Sequence, residues 1–219
     1  MTPPDAVFFD LDGTLLDSLP GIGFSVQHAF NACSLQPQHT DLRSRIGPPI
    51  RVIFSQLAPH LDDTDLDRLE RAFRASYDAE GWRMTPHFPG AAKLLRDLQS
   101  IGTRLFVVSN KPIHIATLIL RAEGTLGLFE EVVTRDSRNP PYAGKLEMLQ
   151  HLIASHGFDP TCCLMVGDTM EDATAAAAAS VGFAFVRHGY GDVPASVPVA
   201  LRLDDLSEFM PLLTKGVAH

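Results

Sequence analysis

What most constrains this chain is a recurrence of short, β-rich apolar runs at residues 6–9, 105–108, 131–133, 164–166 and 183–186, with helical stretches between them. The runs are continuous rather than alternating, so strands built from them are buried on both faces, as in a parallel sheet covered by helices. Residues 112–121, 144–156 and 170–180 have the composition and length of crossover helices. The pattern predicts an α/β fold with a Rossmann-like, doubly wound parallel sheet. The first two runs are nearly a hundred residues apart, far more than one crossover requires. Within that excess, residues 22–33 and 66–77 carry apolar side chains at three- and four-residue spacing, and Gly47-Pro48-Pro49 supplies turn chemistry. The acids Asp62, Asp63 and Asp65 suit a helix N-terminus. The expectation is a helical insert over residues 18–87, with residues 1–17 and 88–219 forming the sheet domain and residues 91–100 its next crossover helix.

Composition narrows the partners. In 219 residues, 26 acids outweigh 18 Lys and Arg for a net charge of −8, and no basic run appears. That balance argues against a nucleic-acid polymer or an anionic membrane surface, both of which need clustered cations. No apolar run approaches the roughly 20 residues of a membrane span. The N-terminus has no basic region ahead of its apolar stretch, which Asp10 and Asp12 interrupt, so a signal peptide is not expected. Cys33, Cys162 and Cys163 are too few for a disulfide framework and read as buried free thiols in a reducing, cytoplasmic setting.

Open parallel sheets bind ligands beyond the carboxyl ends of their strands. The residues there are Asp10, Asp12 and Thr14 after the first run, Ser109, Asn110 and Lys111 after the second, and Asp168 and Asp172 after the fourth, while Lys145 opens the helix that follows the third. Crowded carboxylates repel by about 4 kcal/mol per pair at about 4 Å and an effective dielectric near 20, so the group calls for a cation. Oxygen-only ligands select a hard metal, Mg²⁺. Ser109, the amides after it and Lys145 are donors for a phosphate. Asp10 is placed to attack phosphorus as a carboxylate nucleophile, and Asp12 to protonate the leaving oxygen and then to activate water. Asp172 suits either this site or the first turn of a helix, where the helix dipole favours an acid. Arg45 and Arg51 flank the Gly-Pro-Pro turn, as contacts for an anionic leaving group or as surface arginines. His28, His87 and His188 fit no metal spacing with one another.

The segment Phe8-Phe9-Asp10-Leu11-Asp12-Gly13-Thr14-Leu15-Leu16-Asp17-Ser18 resembles motif one of the haloacid dehalogenase superfamily. Val107-Val108-Ser109-Asn110-Lys111-Pro112 resembles motif two, Lys145 motif three, and Gly167-Asp168 through Asp172 motif four. The resemblance implies Asp10 as nucleophile, Asp12 as general acid/base and as a metal ligand through its main-chain carbonyl, and Asp168 as a side-chain Mg²⁺ ligand supported by Asp172. It also implies that the insert is a small α-helical cap that closes over the site and reads the leaving group. Because the dehalogenase branch lacks the second carboxylate of motif one, Asp12 favours phosphate esters. Leu19-Pro20-Gly21-Ile22 looks like the phosphoglycolate phosphatase group, and Ile46-Gly47-Pro48-Pro49-Ile50-Arg51 resembles that group and the bacterial nucleotidases related to it. That group commonly carries its lysine in a Lys-Pro pair; here the lysine follows later, in Lys145-Leu146-Glu147, as in the nucleotidase-like branch. The expected activity is a Mg²⁺-dependent phosphatase for a small phosphorylated metabolite, phosphoglycolate-like first and a nucleoside 5′-monophosphate second, in a monomer or homodimer. The reading from another class is a phosphate-binding regulatory module without turnover.

Overall fold

The computed structural model describes residues 3–215; residues 1–2 and 216–219, assigned from sequence to the sheet domain, lie outside the described residues. Six parallel strands form one sheet in the order β3-β2-β1-β4-β5-β6: β1 is Ala6–Phe9, β2 Arg104–Ser109, β3 Glu131–Thr134, β4 Cys163–Gly167, β5 Gly182–Val186 and β6 Leu201–Leu203. All four residues of β1 are fully buried, because it sits between β2 and β4 with helices on both faces. Its period of two divides the core: Val7 and Phe9 pack in one hydrophobic cluster, Ala6 and Phe8 in another. The five runs read as strands are β1 to β5. The sixth strand is Leu-Arg-Leu at the sheet edge; its apolar residues are interrupted by Arg202, so it presents no continuous apolar run to be recognised by.

Five helices cover the sheet: α4 (Ala91–Ser100), α5 (Ile113–Ala122), α6 (Lys145–His156), α7 (Met170–Ala178) and α8 (Phe209–Lys215). The run of five alanines from Ala175 to Ala179 lets the end of α7 pack closely, with Ala175, Ala176 and Ala179 buried while Ala177 and Ala178 face solvent. Cys33 and Cys163 are buried, but Cys162 is exposed, because it ends a 3-10 turn just before β4 rather than entering the strand. None of the described helices is long and apolar enough to cross a membrane.

Between β1 and α4 the chain forms α1 (Leu19–Cys33), α2 (Ile50–Leu57) and α3 (Asp63–Ala79). The acid cluster does start a helix: Asp62 caps α3 by accepting from the Asp65 amide at 2.9 Å. Edge-to-face rings join the three helices, Phe30 to Phe54 at 5.6 Å and Phe54 to Phe73 at 6.1 Å. The outgoing and returning segments lie side by side, with the Asp17 amide donating to the Pro86 carbonyl and the Phe88 amide to the Leu15 carbonyl, both at 2.9 Å. The chain therefore leaves the sheet and re-enters it at one place, beside the end of β1.

Gly21 is where α1 comes closest to its neighbour: a Cβ built there falls 2.2 Å from the Gly81 carbonyl oxygen. Gly21→Ala should therefore cost about 1–3 kcal/mol by overpacking in urea unfolding. Gly127→Ala, where a Cβ meets nothing within 4 Å, should change stability by less than about 0.5 kcal/mol.

Candidate active site

The parallel register brings the ends of β1, β2 and β4 to one edge, and the residues singled out from sequence arrive there with them. Asp10 follows β1 directly and is 3% exposed; Ser109 ends β2 and is 2% exposed; Asp168 follows β4 and is fully buried. One oxygen from each of Asp10, Asp168 and Asp172 lies within 4.8 Å of the others. Lys145, the first residue of α6, reaches into this group with its Nζ 3.0 Å from Asp10 Oδ1 and 2.6 Å from Asp172 Oδ1. One ammonium thus faces three buried carboxylates. Burial works against the Lys145 charge, but Asp10 and Asp172 outweigh it and hold its pKa above the usual lysine value. Burial raises the Asp10 pKa well above the carboxylate range; Lys145 opposes that rise, and the neighbouring acids add to it. Asp168 is pushed up to about 6 by burial and by Asp172, against the pull of two backbone amides.

Those amides, Tyr190 N at 2.7 Å and Gly191 N at 3.1 Å, both donate to Asp168 Oδ2, while the Thr14 hydroxyl donates to Oδ1 at 3.3 Å. Three glycines leave the room this requires. A Cβ at Gly13, whose φ is +88°, would fall 2.3 Å from Asp168 Oδ2; one at Gly189 would fall 2.2 Å from Asp168 Cβ; one at Gly191 would fall 2.5 Å from the Asp168 carbonyl oxygen. Asp172 serves both purposes considered for it. It closes a capping box with Thr169 at the start of α7, accepting from Thr169 N at 3.1 Å, and it also binds Lys145. Its position three residues after the cap is what carries an acid of the first helical turn into the cluster.

Asp12 is not among the three clustered carboxylates. Its Oδ1 accepts from Lys111 Nζ at 2.7 Å, and Lys111 also donates to the Tyr77 hydroxyl of α3 at 3.0 Å. Asn110 is turned aside as well, donating to Glu171 Oε2 at 2.9 Å and to the Gly47 carbonyl at 3.3 Å. Ser109 Oγ accepts from the Lys111 amide at 3.3 Å. Arg51 is not brought to the site: it lies on α2 in ion pairs with Asp63 at 2.8 Å and with Asp67, tying α2 to α3. Acids at the start of α3 take up that guanidinium in exposed ion pairs, and their proximity depends on how two helices pack.

Lys111 and the Gly189-Tyr190-Gly191 loop had no assigned role. Lys111 directly follows Ser109-Asn110 and is one of only four lysines, a signal that was available. The loop follows β5 at the same sheet edge, and its paired glycines around an aromatic were the other readable sign. Tyr190 also binds the insert's entry, donating to Asp17 Oδ1 at 2.8 Å and accepting from the Leu19 amide at 2.9 Å. Arg43 reaches back from the insert to the carbonyls of His188 at 3.0 Å and Gly189 at 2.6 Å.

Residues 4–180 match the haloacid dehalogenase-like hydrolase family. Tyrosine-protein kinase PtkA of Mycobacterium tuberculosis is 36% identical over 86% of this chain, and the match spans 64% of that protein's length. Phosphoglycolate phosphatase of Agrobacterium fabrum is 30% identical over 96% of this chain and 94% of its own. Among solved structures, a predicted phosphoglycolate phosphatase from Haemophilus somnus superposes with a TM-score of 0.85 at 27% identity, covering 97% of this chain and 99% of the other.

The raised Asp168 pKa has a sign that can be measured. The folded chain holds that proton more tightly than the unfolded chain, whose aspartate titrates near 3.8. This group's contribution to stability therefore declines as pH rises from about 4 through 6. A divalent cation held by the three acids should raise the Tm more at pH 7.5 than at pH 5, against protein in EDTA; an equal increment at both pH values would contradict the assignment.

Proposed function

The chain belongs to the haloacid dehalogenase-like hydrolases, and from that membership and the site's geometry we propose that it is a Mg²⁺-dependent phosphomonoesterase working through an aspartyl-phosphate. The observation that carries this reading is the buried trio Asp10, Asp168 and Asp172 with Lys145 bound to two of its members. The donor set consists of oxygens alone, and Lys145 leaves the cluster negative, so a hard cation fits it. The side chains of Asp10, Asp168 and Asp172 and the Asp12 carbonyl would hold Mg²⁺. When bound, the metal supplies positive charge that offsets these acids and the incoming phosphate.

Asp10 bonds to phosphorus as the ester P–O bond breaks, and Asp12 passes a proton to the departing alkoxide. Water then attacks the phosphorus of the aspartyl-phosphate; Asp12 takes its proton, the Asp10 carboxylate is released and inorganic phosphate leaves. Lys145 fixes the attacking carboxylate throughout, and Lys111 orients Asp12. Ser109 and the amides beyond β2 receive the phosphate oxygens. Residues 18–87 act as a cap, joined to the sheet domain through the paired segments beside Asp17 and Phe88. Relatives named phosphoglycolate phosphatase support an ester of phosphoglycolate's size, and the late position of Lys145 in its loop supports nucleoside 5′-monophosphates as a second class.

With a generic aryl phosphate and Mg²⁺, Asp10→Asn should abolish phosphate release while the variant stays folded; wild-type turnover would overturn the nucleophile assignment. EDTA should abolish activity and added Mg²⁺ restore it. Tight phosphate-ligand binding without turnover across a panel of phosphorylated sugars, acids and nucleotides would instead favour a regulatory module. Because one relative carries the name of a kinase, the panel includes ATP with a tyrosine peptide, and phosphoryl transfer in place of hydrolysis would overturn the hydrolase reading.

A further inference from the structure

Between the helical insert and the sheet edge lies a cavity of about 120 Å³. Asp12 and Lys111 border it, which puts it where a leaving group would project from phosphorus. Its walls are apolar and come from four helices and the Gly-Pro-Pro turn: Ile22, Ile46, Ile50, Ile53, Phe73 and Ile115. Two cations border it, and each already has an acid. Lys111 pairs with Asp12 at 2.7 Å, and Arg74 pairs with Glu70 at 2.7 Å. The other charged wall residue is Asp78, which repels an anion. The Tyr77 hydroxyl is taken up by Lys111 at 3.0 Å and Thr85 at 3.3 Å, and the Asn110 amide by Glu171 and the Gly47 carbonyl.

A carboxylate on the leaving group would lose its hydration against mostly apolar walls, which is costly, and would have to compete with Asp12 and Glu70 for the two bordering cations. An uncharged ring would lose nothing of the kind. The volume is close to that of apolar cavities, about 150 Å³, that take up benzene; a nucleoside would bring sugar hydroxyls and base nitrogens against walls that offer them few free partners. We propose that this site selects phosphate esters whose alcohol is uncharged, apolar and about the size of one aromatic ring. The proposal rests on the phosphomonoesterase reading and departs from its two substrate candidates, putting a neutral, apolar alcohol in place of the glycolate and the nucleoside.

The test compares benzyl phosphate with phosphoglycolate and adenosine 5′-monophosphate, and phenyl phosphate with 4-carboxyphenyl phosphate, on the full chain with Mg²⁺. The neutral member of each comparison should have a kcat/KM at least about tenfold higher. A preference for phosphoglycolate, for the nucleotide or for the carboxylated ring, or no preference, overturns it. Ile50→Arg, at a half-buried wall position, should lower the ratio of kcat/KM for benzyl phosphate to that for phosphoglycolate about tenfold; an unchanged ratio counts against the proposal. If no ester is hydrolysed, the catalytic reading fails separately, and calorimetry with benzylphosphonate and phosphonoacetate still decides the pocket. Tighter benzylphosphonate binding supports it; equal or tighter phosphonoacetate binding overturns it.

Discussion

The contact on which the rest depends is the Lys145 ammonium lodged between Asp10 and Asp172. Three carboxylates buried at one sheet edge would repel each other and resist dehydration, and a buried ion without a partner costs several kcal/mol, on the order of the whole stability of a domain. A single lysine at the first position of α6 offsets part of that, and the remaining negative charge is what makes the cluster suited to a cation. The surroundings follow the same logic. Glycines at 13, 189 and 191 admit backbone close to Asp168, so that amides rather than side chains receive its oxygen. The capping box engages one Asp172 oxygen at the helix start while the other binds Lys145.

The helical insert is bound to this centre by more than its two connections. Lys111 spans from Asp12 to Tyr77 of α3, so one side chain binds the Asp12 carboxylate and touches the insert. On the far side, the loop after β5 gives its amides to Asp168 and its Tyr190 hydroxyl to the insert's entry, while Arg43 holds the carbonyls of the same loop. The insert is thereby linked to Asp12 and to Asp168 through directly hydrogen-bonded groups. The apolar cavity lies beside the first of these ties, bordered by Asp12, Lys111 and Tyr77.

Much of the sheet was legible because burial on both faces demands continuous apolar runs. β6 escaped because an edge strand of three residues with a central arginine carries no such demand. Asp10, Asp168 and Lys145 could be placed from sequence since each lies at the end of a buried strand or the start of a crossover helix, where chain direction already says which edge it meets. Arg51 could not: beside the Gly-Pro-Pro turn a surface position was the commoner expectation and a ligand contact the other, and it is a partly exposed helix arginine whose partners, Asp63 and Asp67, are brought within reach only because α2 packs on α3. Cys162 and Cys163 are neighbours in one apolar run, yet the strand begins between them, exposing the first and burying the second.

By itself the sequence determined the strand order along the chain, the interruption by a helical insert and the gathering of acids at one edge, because periodicity and strand direction are local properties. The tertiary structure alone decided the partners: that Asp12 belongs to Lys111 rather than to the carboxylate trio, that Asp168 is held by amides some twenty residues away, and that the cations beside the cavity are already paired. Charge pairing and desolvation fall off over a few ångströms, and at that range neighbours are chosen by packing between elements far apart in the chain.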